Sequence, residues 1–185
     1  LWHKTAQKML FFLKGICHPD GDISFFNDTA IGIAPSKKKL LEYGKKMGVS
    51  TIREIDTLKT LNYFHFKDTG YVRLQTSSAV AILDVAPIGP DYLTGHAHAD
   101  TLSFELSISN CRVIVNGGTS IYENGLIRSK ERGTASHSTV EINGKNSSET
   151  WSSFRVARRA YPKNLHINKK NQIINTTSPR IRSAC

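Results

Sequence analysis

The sequence predicts a mainly β protein, an antiparallel β-sandwich preceded by two helices. Three observations predict it. Residues 3 to 16 space Ala6, Met9, Leu10 and Leu13 along one helical face. From residue 63 onward the period drops to two, in "YFHFKDTGYVRLQ" and "AVAILDVAPI". Turn dipeptides then separate short apolar runs, with Ser109-Asn110 inside "HADTLSFELSISNCRVIVN" and Asn143-Gly144 inside "STVEINGK".

The elements follow in order. "HPDGD" (18–22) ends the first helix with Pro and Gly. Ser36, after Pro35, caps a second helix carrying Leu40, Leu41 and Met47 that stops at Gly48. Residues 49–62 have mixed character and read as a connector. Residues 63–185 then supply strand after strand, the last pair being "LHI" and "QII" around "NKKN". No internal repeat or low-complexity segment occurs.

The 185 residues suffice for one domain, or one domain and a fragment, and no apolar run has the roughly 18 residues a membrane span needs. "LWHKTAQKMLFFLKGI" reads as helix and not as a signal peptide, and together with the abrupt "SPRIRSAC" suggests a piece of a longer chain. Cys17, Cys111 and Cys185 form no CxxC pair and point to neither a disulfide framework nor a thiolate zinc site. The net charge of +10 is unevenly placed. Residues 150–185 hold eight Lys and Arg and no acid, so the first 149 carry 17 bases against 15 acids, a balance of +2. Such a tail favours an anionic partner. Lys169 and Lys170 read as solvated surface, and no nucleic-acid motif accompanies the charge.

The most informative stretch is "GHAHAD" (95–100). If the strand runs unbroken from His96 to Ile108, His96, His98 and Asp100 share a face with Leu102, Phe104, Leu106 and Ile108. That face should look inward, where each unpaired polar group costs about 2–7 kcal/mol. Asn116 ends the strand "VIV" beside Gly117-Gly118, where backbone could approach a ligand, and His137 opens "HSTVEI". Three such positions at strand ends suit a metal, although hydrogen-bonded histidines would share the pattern. Tyr122, Arg128 and Arg132 lie between them. Trp151 and Phe154 read as core, and Arg155 and Arg159 share a strand face that Arg158 does not.

"GPDYLTGHAHADTLSFELSI", "RVIVNGGTSIY", "RGTASHSTVEING" and "SSETWSSFRVARRA" occur in this order, after "HPDGDISFFNDTAIGIAPS". Together they resemble the heparinase II/III family of polysaccharide lyases over most of residues 17–161. The resemblance implies that residues 1–48 are the end of an α/α toroid, 49–62 the connector and 63–185 an incomplete sandwich. It implies cleavage of a uronate-containing anionic polysaccharide, a glycosaminoglycan or alginate, by β-elimination, in a secreted or periplasmic bacterial protein. By the same resemblance His96 faces the substrate, and His98 and His137 bind Zn²⁺ with a third ligand at Asn116. The characterised lyases have Asp there, and the lost charge should weaken zinc. Asp100 would compensate as a ligand or orient a histidine from behind.

Tyr122 is the local candidate for a catalytic hydroxyl, and Arg128 and Arg132 for gripping carboxylates or sulfates. Related lyases add a Tyr and an Asn or His from the toroid, so the isolated chain is expected to be inert. The alternatives are a non-catalytic glycan-binding or structural sandwich, which Asn116 favours, and a metal-dependent hydrolase.

Overall fold

The computed structural model describes residues 1–51, 55, 62–168 and 173–177. The connector lies largely outside them, as do Lys169, Lys170 and Cys185. Helix α1 (Trp2–Ile16) and helix α2 (Lys37–Lys46) form where the apolar spacing predicts them. Ser36 Oγ accepts from the Lys39 amide at 3.5 Å and caps α2.

Five strands then build one antiparallel sheet in chain order: β1 (Asn62–Phe66), β2 (Tyr71–Gln75), β3 (Ala79–Asp84), β4 (Phe104–Ile108) and β5 (Cys111–Ile114). Short turns join β1 to β2, β2 to β3 and β4 to β5, where Ser109 and Asn110 both adopt the positive φ of a tight hairpin, while β3 and β4 pair across the longer 85–103 connection. Helix α3 (Leu126–Glu131) and a 3-10 turn at Thr134–Ser136 come next. Two small ribbons close the chain, β6 (Thr150–Trp151) with β7 (Arg155–Val156), and β8 (Lys163–Asn168) with β9 (Ile173–Thr177).

Aromatic packing fixes α1 on the sheet. The Phe11 ring lies 5.4 Å from that of Phe66, and the Phe12 ring meets Phe66 edge-on at 5.3 Å. Gly15 permits this approach, because a Cβ there would sit 2.0 Å from Phe66 Cζ. Phe26, Val80 and Ile82 form the buried apolar cluster, with Ile16 and Tyr71 against it.

The sheet face turned toward the helices is largely polar. Register aligns Arg73 with Ile82 and Ile82 with Glu105, so Arg73, Glu105 and, one step along, Gln75 and Ser107 share it. The inward face expected of Leu102, Phe104, Leu106 and Ile108 is therefore inverted. Ser103, Glu105 and Ser107 are buried, while Ile108 is exposed.

The segment following α1 supplies the reason. His18 Nε2 meets Glu105 Oε2 at 2.8 Å, His18 Nδ1 meets Ser107 Oγ at 2.7 Å, and the Phe25 amide donates to Glu105 Oε1 at 2.6 Å. Polar side chains are buried where such partners arrive from elsewhere in the chain and offset their desolvation. The strand also begins later than its alternation predicts. Leu102 has φ +64°, and the Ser103 amide bonds the Asp100 carbonyl, so 96–103 is a turn-rich approach to β4. His137 likewise follows the 3-10 turn and opens no strand; around Asn143-Gly144 only an Ile142–Lys145 bridge forms.

Glu105→Ala removes the acceptor for His18 and for two backbone amides, those of Phe25 and Asn116. Urea unfolding should show a loss of at least about 3 kcal/mol, because three donors each lose their acceptor at about 1–3 kcal/mol apiece.

Candidate active site

The site assembles around a residue that spacing did not single out, Asp28. It lies on the loop between α1 and α2, and Gly118 determines how close that loop comes. At φ +60° Gly118 passes so near the loop that a Cβ would lie 2.1 Å from the Thr29 carbonyl oxygen. The Thr119 amide then donates to that carbonyl at 3.0 Å. The close approach at Gly117-Gly118 is thus made by the protein's own backbone.

Three side chains converge on the Asp28 carboxylate through four contacts. His96 Nδ1 lies 2.9 Å from Oδ2, and His98 Nε2 lies 2.7 Å from Oδ1. Arg128 Nη2 donates to Oδ2 at 2.8 Å, and Arg128 Nη1 bonds Oδ1. Burial alone would raise this carboxyl's pKa. Hydrogen bonds from His98, Arg128 and His96 outweigh it and hold the group well below the ordinary carboxylate range. Asn27 assists, its Oδ1 accepting from the His98 amide at 3.2 Å.

The two imidazoles then face different surroundings. The His96 side chain is 63% exposed, its ring 5.8 Å from both Tyr122 and Phe154. With Nδ1–H donated to Asp28, His96 presents a free Nε2 lone pair outward. Tyr122 and Phe154 are themselves partly exposed, with ring centroids 5.4 Å apart. Beneath them the Arg128 guanidinium carbon lies 5.2 Å from the Tyr122 centroid and 5.6 Å from that of Phe154.

His98 turns inward. Its ring centroid is 5.3 Å from that of His137. Asn116 Oδ1 lies 3.2 Å from His137 Nδ1 and also accepts from the Ser138 amide at 3.4 Å. Burial and the neighbouring His98 lower His137 to about 4, so the ring is neutral near pH 7. Five buried polar atoms in this region have no hydrogen-bond partner: His98 Nδ1, His137 Nε2, Asp100 Oδ2, Asn116 Nδ2 and Ser103 Oγ. Two of them are imidazole nitrogens, the kind of donor a transition metal prefers. Among the described residues no group of three His, Cys, Asp or Glu could hold a metal ion, because Asn stands at 116 with its amide oxygen turned to His137. The unpartnered imidazole nitrogens of His98 and His137 are the donors here that suit a metal ion. Burial raises Asp100 to about 6, against the opposing charge of His98.

Several expectations are corrected here. Arg128 and Arg132 are fully buried and cannot grip a substrate anion. Arg128 is committed to Asp28, to the Ser153 carbonyl at 3.1 Å and to Thr119 Oγ1 at 2.9 Å. Arg132 clamps carbonyls, reaching Ala97 at 2.9 Å, Ser152 at 3.0 Å and Arg155 at 3.2 Å. A guanidinium's fan of donors suits it to such bracing as well as to anions. Trp151 and Phe154 are exposed where core was expected. Tyr122 does lie beside His96.

Asp28 was missed because nothing in its local pattern marks it; the only signal was "FFNDTA" inside the family-like segment.

The family described as Heparinase II/III-like, C-terminal matches residues 59–181. Two solved structures of heparinase III, both described as the BT4657 gene product and one with methylated lysines, align over 88% of this chain and 26% of theirs. Their identities are 18% and 19%, with TM-scores of 0.55 and 0.57. A further heparinase III crystal structure aligns over 90% of this chain and 28% of its own at 18% identity and TM-score 0.57. The chain therefore spans about a quarter of their length, and at these identities the likeness establishes fold. No curated protein sequence matches.

Asp28→Ala leaves Arg128 buried and unpaired and releases both imidazoles, so it should cost about 3–5 kcal/mol by chemical denaturation. Because Asp28's folded pKa is depressed, its stabilisation is complete above an unfolded pKa of about 4 and falls as pH drops below it. The wild type should lose stability between about pH 4 and pH 2 more steeply than Asp28→Asn does.

Proposed function

Since the chain belongs to the heparinase II/III-like, C-terminal family, we propose that it forms the sandwich side of a polysaccharide lyase acting on uronate-containing chains. The observation that carries this reading is the exposed His96, held through Nδ1 by a buried carboxylate and flanked by two exposed aromatic rings.

β-Elimination at a 4-linked uronate removes the C5 proton, stabilises charge on the adjacent carboxylate and protonates the departing O4. His96, with Nε2 outward and Nδ1–H on Asp28, is oriented to accept or return a proton at Nε2; such a group contributes typically about 10²–10⁴-fold. Asp28 keeps the ring in one tautomer, and Arg128 keeps Asp28 ionised. Tyr122 offers a hydroxyl beside the imidazole for the other proton transfer. Phe154 gives the sugar an apolar face to lie against.

A divalent ion, zinc by family expectation, would be held by His98 Nδ1 and His137 Nε2, with Asn116 as a weaker further ligand. When bound it supplies positive charge next to the site. Calorimetric zinc titration should give weak binding that His137→Ala abolishes and Asn116→Asp strengthens at least about tenfold, since an anionic oxygen replaces an amide.

The resemblance calls for toroid-side groups as well, so turnover is assigned to the whole protein and secretion or the periplasm to its location. Among the described residues no helix is long and apolar enough to cross a membrane. In the whole protein His96→Ala should abolish unsaturated-uronate absorbance with the melting curve unchanged, and Phe154→Ala should chiefly raise KM. Asn116 supports a second reading, a glycan-binding sandwich without turnover. It would be established by saturable oligosaccharide binding with no absorbance change in the wild type.

A further inference from the structure

At the sheet end remote from His96 lies a cleft of about 590 Å³. The β2–β3 turn (Thr76 to Ser78) and the β4–β5 turn (Ser109-Asn110) form its rim, whereas the connection carrying His96 leaves from the opposite end of β3. Its remaining walls come from the end of α1 and the residues just after it (17–19), from the start of α2 and from Ile55.

Three cations line this cleft, Lys14, Lys37 and Arg73, and among the described residues no carboxylate does. Arg73 is only 5% exposed. Its Nε donates to Gln75 at 2.8 Å, and its Nη1 donates to the carbonyls of Gly15 at 3.2 Å and Cys17 at 2.7 Å. Those partners satisfy hydrogen bonds without neutralising the charge. The cost shows in the guanidinium itself, which burial lowers to about 10. Lys37 is the first residue of α2, whose first turn holds no acid, so the positive end of a ten-residue helix adds to the same field. Ser77 and Ser78, exposed on the rim, supply hydroxyl donors.

A buried cation without an acidic partner, a second cation at a helix start and a hydroxyl rim in one concave space make an oxyanion receptor. We propose that this cleft binds a sulfate or carboxylate group of an acidic saccharide, as a holding site separate from the one at His96. The saccharide identity rests on the lyase reading; the anion site does not.

The test titrates the full chain, at low salt, with inorganic sulfate, a sulfated uronate disaccharide and its desulfated counterpart, read by calorimetry and amide shifts. Lys37→Glu and Ser78→Glu should each weaken disaccharide binding at least tenfold without changing the melting curve. Lys45→Glu, on an exposed part of α2 outside the cleft, and His96→Ala should leave it within twofold. Retained binding by the desulfated sugar identifies the carboxylate as the recognised group, and its loss identifies the sulfate. The proposal is overturned if no ligand saturates, if Lys45→Glu costs as much as Lys37→Glu, or if the disaccharides bind no better than inorganic sulfate. Because the titration reads binding without turnover, its failure is separable from a missing lyase activity.

Discussion

One carboxylate organises this molecule. Asp28 receives His96 and His98 on its two oxygens while Arg128 closes the opposite side, and Asp28 and Arg128 are both almost wholly shielded from water. In a medium of low effective dielectric such a cluster persists only because each charge and donor is met. The outcome is a division of labour between histidines two residues apart. His96 is carried to the surface and His98 is driven inward, although the same anion fixes both.

The surrounding architecture holds that anion in place. Helix α1 is seated by phenylalanines, the His18–Glu105 contact ties the following segment to β4, and the loop bearing Asp28 then meets the 116–119 segment. Arg132 performs a parallel task without any acid, gathering carbonyls from the Ala97 region and the β6–β7 turn. Its pKa is depressed to about 10, first by burial and then by repulsion from Arg128. The two arginines are internal braces, and the exposed face beside Asp28 is aromatic and imidazole.

Helices α1 and α2, the Ser36 cap and the Ser109-Asn110 hairpin were legible because each depends on neighbours within a few residues. Ser36 and the Ser109-Asn110 pair act locally, and the structure places them as the pattern predicts. The orientation of β4 was not legible. Alternation identifies two faces, but which one is covered depends on His18 and Phe25, about eighty residues away. Similarly, His96, His98 and His137 could be singled out as site residues, whereas their common anchor could not. Asp28 has no periodic neighbour and gains its meaning only when Gly118 lets two loops touch. Arg128 and Arg132 were misplaced for a related reason: a loop arginine looks the same in sequence whether it faces solvent or supports a fold.

The glycine pair at 117 and 118 shows how far such equivalence can mislead. A methyl group at 117 would meet nothing within 4 Å, while one at 118 would strike the Thr29 carbonyl. Identical letters side by side therefore differ completely in their freedom to vary. Position 117 is open to a labelled or bulkier side chain, which would put a spectroscopic reporter next to Asn116 with the imidazole framework undisturbed.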